Sequence, residues 1–319
     1  MISAARSLSS LTTRWYRPRS VGRVSMDPAR PATMQEGWQS PLLDALEQQP
    51  WLDKAGNYLT ELLQPLLDLP EARPIKDFLH GTWLGHSLHP VLTDLPIGFW
   101  SGSLLLDLVG AGRSAGVLSA AGSAAAVATA VTGVTDWTVT DGREKRLGLL
   151  HGLLNVAGLG LQLASLQARL GRRRLRAVSL SAAGLTVSTA AAWLGGELVF
   201  GRGISVNHDA WTAGPEKWTP VLDDSDLVDG APRKVEVEGR AVLLYREGPR
   251  VFAMENACAH AGGPLDEGEA RDGVVTCPWH GSQFRLRDGA LVRGPSTFSQ
   301  LRLQARIAKG QVEVRGRQG

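Results

Sequence analysis

Residues 258–289 read CAHAGGPLDEGEARDGVVTCPWHGSQFRLRDG, and they hold both cysteines of the chain. Cys258 is followed by His260 and Cys277 by His280, with 16 residues between the two pairs and glycine or proline beside each. Two thiols give no disulfide framework of the kind small secreted domains rely on, so metal ligation is the first expectation. Two thiolates and two imidazoles suit zinc or iron. A zinc finger pairs Cys with Cys and His with His. Here each loop supplies one of each, the partition that a [2Fe–2S] centre needs when sulfur holds one iron and nitrogen the other.

Around these boxes the sequence changes to short strands. KVEVEG, AVLLYRE, RVFAME, GVVTCP, SQFRLRDG, QLRLQARIA and QVEVRG alternate or run apolar between glycine turns, which predicts a small all-β domain over 218–319.

The boxes CAHAGGPLDEG and CPWHGSQFRLRDG resemble the Rieske iron–sulfur family, of the soluble ferredoxin type, over about one hundred residues. The resemblance implies that Cys258 and Cys277 hold the inner iron and His260 and His280 the outer one, with Gly263, Pro278, Gly281, Ser282 and Phe284 around the cluster. Respiratory Rieske proteins carry a further cysteine in each loop, and these form a disulfide. Gly263 and Trp279 stand at those positions, so no clip is expected. Ser282 keeps a hydroxyl that raises the potential in those proteins, whereas Phe284 lacks the second, so a potential toward the low end of the Rieske range is expected. Only 39 residues follow His280, none of them histidine, so no substrate-oxidising iron domain is expected in cis. Electron transfer is the expected task, and turnover by the chain itself is left open.

The N-terminal two-thirds is different in kind. Four apolar segments, near 91–111, 115–137, 147–167 and 177–200, are each long enough to cross a hydrocarbon core of roughly 30 Å. Their Gly, Ala and Ser content favours close helix approach in lipid. The expected fold class is membrane α plus soluble β: a four-helix transmembrane bundle over 81–200, a connector over 201–217, then the Rieske-like domain. The stretch GHSLHPVLTDLPIGFWSG also resembles the opening of a bacterial membrane-domain family of unknown function, DUF2231, that occurs fused to Rieske ferredoxins. Residues 41–80 read as an amphipathic helical lead-in broken by Pro50 and Pro65.

Charge excludes nucleic acid as a partner. The first 33 residues carry six arginines against one aspartate, yet the whole chain is only +3, so the remainder is net acidic. The basic stretch, within 1–40, reads as a disordered tail or an over-extended start preceding Met26 or Met34. Positive charge near the spans is nearly balanced between the two sides. With no export signal in view, the β domain is expected on the cytoplasmic side of a bacterial membrane.

Polar residues gather at the bundle end that faces the β domain: His86, His89, Asp94, Asp136, His151, Asn155 and Glu197, with His208 just beyond. Pro96 is expected to leave the Leu92 carbonyl without its helical partner. The plain expectation is solvated helix ends. The sharper ones are a b-type haem held by His89 and His151, or a quinone or metal pocket that includes the carboxylates. Two further functions remain open at this level. One is a quinone or haem oxidoreductase with the iron–sulfur module as one station. The other is a redox sensor, with Asp266, Glu267, Glu269 and Asp272 offered to a basic partner. The redox donor, the acceptor and the oligomeric state are not encoded in any pattern the sequence displays.

Overall fold

The computed structural model describes residues 40–67 and 69–316. The basic tail lies outside the described residues. Residues from Ala45 onward form one compact unit.

Two amphipathic helices lead in, α1 (Ser40–Glu47) and α2 (Pro50–Leu67). Pro50 opens α2, where a missing N–H costs nothing. Pro65 does not break the helix as expected: it lies in the last turn, and α2 runs through it. This helix packs on α6 (Gly142–Leu170), tied by Arg146 to Asp53 at 2.9 Å. A short helix α3 (Arg73–His80) ends at Gly81, left-handed at φ 87°.

The bundle comprises α4 (Leu88–Leu108), α5 (Gly112–Trp137), α6 and α7 (Arg174–Gly196), the last continuing as one π turn over Glu197–Gly201. All four helices are long and apolar enough to cross a membrane. Their packing is that of a protein in lipid. The interior holds Ser103, Ser119, Thr132, Gln162, Ser165 and Ser181, whereas Leu105, Leu108, Val117, Val156, Leu170 and Leu175 point outward. Large apolar groups gain nothing from burial when the solvent is itself hydrocarbon, so small residues take the helix crossings. At Gly158 an added Cβ would lie 2.3 Å from Ser188 Oγ, which fixes how closely α6 and α7 approach.

The bundle is two similar hairpins, α4–α5 and α6–α7. Ser103 Oγ donates to Ala115 O in the first, and Ser165 Oγ to Ala177 O in the second. Each of these residues precedes its counterpart by 62 positions, the separation of Asp107 and Arg169, which form a buried bidentate ion pair at 2.8 and 2.6 Å between the hairpins. The letters LSAAG recur at the same interval, at 118–122 and 180–184. Within α4, the Leu92 carbonyl freed by Pro96 is taken by Thr129 Oγ1 of α5 at 3.1 Å, so the helix continues without a break.

The β domain has two antiparallel sheets. Strands β1 (Thr219–Asp223), β2 (Arg233–Val237), β3 (Arg240–Glu247), β4 (Arg250–Glu255), β9 (Arg302–Ala308) and β10 (Gln311–Arg315) form a six-stranded sheet in the order β1-β10-β9-β4-β3-β2. Between β4 and β9 the chain inserts a four-stranded sheet of β5 (Glu269–Arg271), β6 (Val274–Thr276), β7 (Gln283–Arg285) and β8 (Leu291–Arg293). Inward residues alternate along the strands as half-buried sheets require, with Val235, Val237, Val242, Leu244, Val312 and Val314 in one core. A second core of Leu243, Met254, Leu265, Val275, Phe284 and Leu286 lies beneath the two cysteines.

Candidate metal centre

The two boxes fold into the same loop twice. In the first, Cys258 N donates to Gly263 O at 2.8 Å and Gly262 N to Cys258 O at 2.7 Å. In the second, Cys277 N donates to Ser282 O at 2.8 Å and Gly281 N to Cys277 O at 3.1 Å. Gly262 and Gly281 both sit in the left-handed region, φ 75° and 78°, where a side chain is strained. One loop follows β4, and the other joins β6 to β7. Gln300 straps the first: its Oε1 accepts from Ala259 N, and its Nε2 donates to the Glu255 and Ala257 carbonyls.

This construction brings Cys258, His260, Cys277 and His280 together at the loop tips. Both thiols are buried and free of disulfide. Their contact moves the two thiols apart in acidity: the hydrogen bond with Cys258 pulls Cys277 down to about 6, while Cys258 is pushed up by the same contact and by burial. The His260 and His280 rings stand 5.0 Å apart at 84°. Burial, and then the neighbouring His280, His80 and His208, hold His260 down at about 3, so its ring is neutral, as a metal-bound imidazole must be. His280 Nδ1 is buried with no hydrogen-bond partner, an orphan donor atom facing inward. Among the described residues no three Cys, His, Asp or Glu side chains are placed around one ion. Two pairs of donors with an unsatisfied imidazole nitrogen fit a two-iron, two-sulfide cluster.

The surroundings follow from sterics. A Cβ on Gly263 would meet Cys277 Sγ at 2.9 Å and the Trp279 ring at 3.0 Å, so the indole packs where a disulfide clip would run. Ser282 Oγ accepts from Ser296 N at 3.0 Å and is fully buried, and so is Phe284. Pro278 lies half-buried between Cys277 and Trp279. Asp266 is bound to Asn256 through two hydrogen bonds and is thereby committed to the loop, whereas Glu267, Glu269 and Asp272 are exposed.

The imidazole edge faces the bundle. His280 Nε2 lies 3.5 Å from Asp141 Oδ2, on the residue before α6, and this hydrogen bond lowers the Asp141 carboxyl. His208 N donates to Ala259 O inside the first ligand loop. Gly294 N donates to Asp77 Oδ1 of α3 at 3.2 Å. His80, which no sequence signal singled out, is 2% exposed; its Nδ1 donates to Asp136 Oδ1 at 2.7 Å, and Ser87 Oγ donates to Asp136 Oδ2 at 2.6 Å. His80 Nε2 is buried and unpartnered.

The other bundle residues separate into groups. His89 and His151 face each other with ring centres 6.2 Å apart, and Asn155 Nδ2 lies 3.2 Å from His151 Nε2. Asp136 belongs instead to His80 and Ser87, and Glu197 pairs with Arg202 at 3.3 Å. His86 and Asp94 are exposed. A site made of all seven is therefore not what the chain builds.

Comparison with known proteins matches residues 217–304 to the Rieske [2Fe-2S] domain, and residues 85–208 to the family described as Predicted membrane protein (DUF2231). Ferredoxin CarAc of Metapseudomonas resinovorans is 33% identical over 100 residues, which cover 31% of this chain and 94% of that protein. Apoptosis-inducing factor 3 of Mus musculus is 37% identical over 90 residues, which cover 28% of this chain and only 15% of that protein. The solved ferredoxin of carbazole 1,9a-dioxygenase from Nocardioides aromaticivorans IC177 is 26% identical; the match covers 32% of this chain and all of that one, with a TM-score of 0.31. Matched loops, free buried thiols and an orphan imidazole nitrogen agree with the family matches and with the likeness to ferredoxin CarAc: the chain belongs to the Rieske [2Fe–2S] family, its iron–sulfur domain joined to a DUF2231 membrane domain.

Proposed function

We propose that the chain is a membrane-anchored one-electron carrier whose cluster is held by Cys258 and Cys277 on one iron and His260 and His280 on the other. The orphaned, buried Nδ1 of His280 carries this reading, because an unsatisfied imidazole nitrogen beside a second imidazole is costly unless a metal takes it. When bound, the cluster supplies reversible one-electron transfer.

The residues do the rest. Gly262 and Gly281 make the left-handed turns that close the two loops. Gln300 and the Asn256–Asp266 pair keep the first loop from opening. Trp279 lies over Gly263 and shields the sulfur side, while the histidine side is turned to the bundle through Asp141, His80 and His208. That orientation supports electron exchange at the membrane end of the domain, with the four helices holding the carrier at the bilayer.

The test is electron paramagnetic resonance of the dithionite-reduced full chain in detergent, beside His280→Ala and Cys277→Ser. A Rieske-type signal in the parent that is absent from both variants is the expected result. A signal surviving in either variant refutes the ligand assignment.

A further inference from the structure

His89 and His151 are counterparts in the two hairpins, 62 positions apart like Asp107 and Arg169. Each makes the same bond. His89 Nδ1 donates to Thr129 O of α5 at 3.0 Å, and His151 Nδ1 donates to Ala191 O of α7 at 2.7 Å. Thr129 and Ala191 are again counterparts, and so are Gly133 and Gly195, which make room for the rings: a Cβ on either would stand 2.7 or 3.0 Å from the imidazole carbon. A repeat that keeps ring, carbonyl and glycine together on both sides preserves one local geometry twice.

The chemistry of that geometry is specific. With Nδ1 giving its proton to a peptide carbonyl, each neutral ring presents a bare lone pair at Nε2. At His151 the amide nitrogen of Asn155 rests against that lone pair at 3.2 Å, as a donor to a bare nitrogen does. Metal-bound histidines are oriented in this way, the second nitrogen tied to a backbone carbonyl. A quinone oxygen is itself an acceptor and finds no donor on either Nε2. Two imidazoles on opposite sides of one metal, with bonds of about 2 Å, place the ring centres about 6 Å apart; the observed separation is 6.2 Å, with the planes at 88°. A bare zinc ion needs more donors than two, and among the described residues no third His, Cys, Asp or Glu joins the pair. Haem iron needs only two, because the macrocycle supplies the other four.

We infer that His89 and His151 are the axial ligands of a b-type haem held between the two hairpins, near the bundle end that carries the iron–sulfur domain. The seam between α4 and α7 is the least closely packed of the adjacent helix pairs and gives the macrocycle its way in from the lipid. Asn155 swings off Nε2 when the iron arrives. The inference stands apart from the carrier reading, since it uses none of the cluster residues.

The full chain, expressed with iron and 5-aminolevulinate and purified in detergent, should contain about one haem b by pyridine haemochrome and show the low-spin ferric resonance of two imidazole ligands. His89→Ala and His151→Ala should each lower haem content at least tenfold while the reduced [2Fe–2S] signal, which reports folding, stays. His86→Ala should keep the haem. Three results would overturn the inference: a parent protein that neither contains haem nor binds added haemin, haem retained in both single variants, or zinc, copper or quinone recovered from the parent and lost from His151→Ala. The cluster signal is read separately, so its absence would bear on the carrier and not on this site.

Discussion

His280 reaches Asp141 across the junction of the β domain and the bundle, Nε2 to Oδ2 at 3.5 Å. With His280 as the proposed outer ligand, a carboxylate beside it favours the more positive, oxidised state. Asp141→Asn should therefore raise the midpoint potential. The carboxylate is 87% exposed, so water screens most of its effect. An exposed charge pair contributes about 0.2–1 kcal/mol, which at 59 mV per 1.4 kcal/mol corresponds to about 10–40 mV. Protein-film voltammetry reads the shift, and a fall in potential would show that Asp141 does not face the cluster.

Phe284 is fully buried in the core beneath the cysteines and offers no hydroxyl. The parent midpoint is expected toward the low end of the roughly −150 to +300 mV span of Rieske centres. Phe284→Tyr should raise it by adding a donor near sulfur, and Ser282→Ala should lower it, as redox titration followed by the reduced-cluster resonance would report.

Gly281 stands at φ 78° with nothing within 4 Å of where a Cβ would be, so replacing it carries a conformational cost alone. Gly281→Ala should destabilise the second loop by about 1–2 kcal/mol and speed cluster loss. The rate of bleaching under a chelator measures this. An unchanged rate would mean that the turn does not limit cluster retention.

Asp107 and Arg169 join the hairpins inside the bundle, Asp107 2% exposed. Asp107→Ala strands the guanidinium and should cost about 3–5 kcal/mol, seen as a lower unfolding temperature in detergent. The double change Asp107→Leu with Arg169→Leu should recover much of that loss.

Asp209, in the connector, accepts from Leu301 N at 3.2 Å; burial pushes its carboxyl from 3.8 up to about 7, and Glu255 adds to the shift. The folded chain thus holds a proton that the unfolded chain releases. The resulting stability is fully present below about 4 and is lost as pH rises through about 7. Chemical denaturation between pH 5 and 8 should show this decline in the parent and a flatter profile in Asp209→Asn.

The two Cys–His loops were legible because their pattern is local: each pair lies within four residues, and the loop glycines advertise the turns. The four spans were legible as long apolar runs, each starting three to five residues earlier in the chain than hydropathy placed it. The fate of Pro96 was half legible, since its freed carbonyl follows from covalent structure while Thr129 as its partner depends on helix pairing. His80 escaped notice because its meaning comes from Asp136, 56 residues away. The hairpin repeat was written openly in the two copies of LSAAG, but hydropathy alone reads both as apolar and blurs the interval.

Metal and acid-labile sulfide analysis of the full chain, purified without oxygen, tests the electron carrier most directly. Two non-haem irons and two sulfides per chain, falling together in Cys258→Ser, are expected from the cysteine and histidine pairs. One zinc per chain with no sulfide would contradict them.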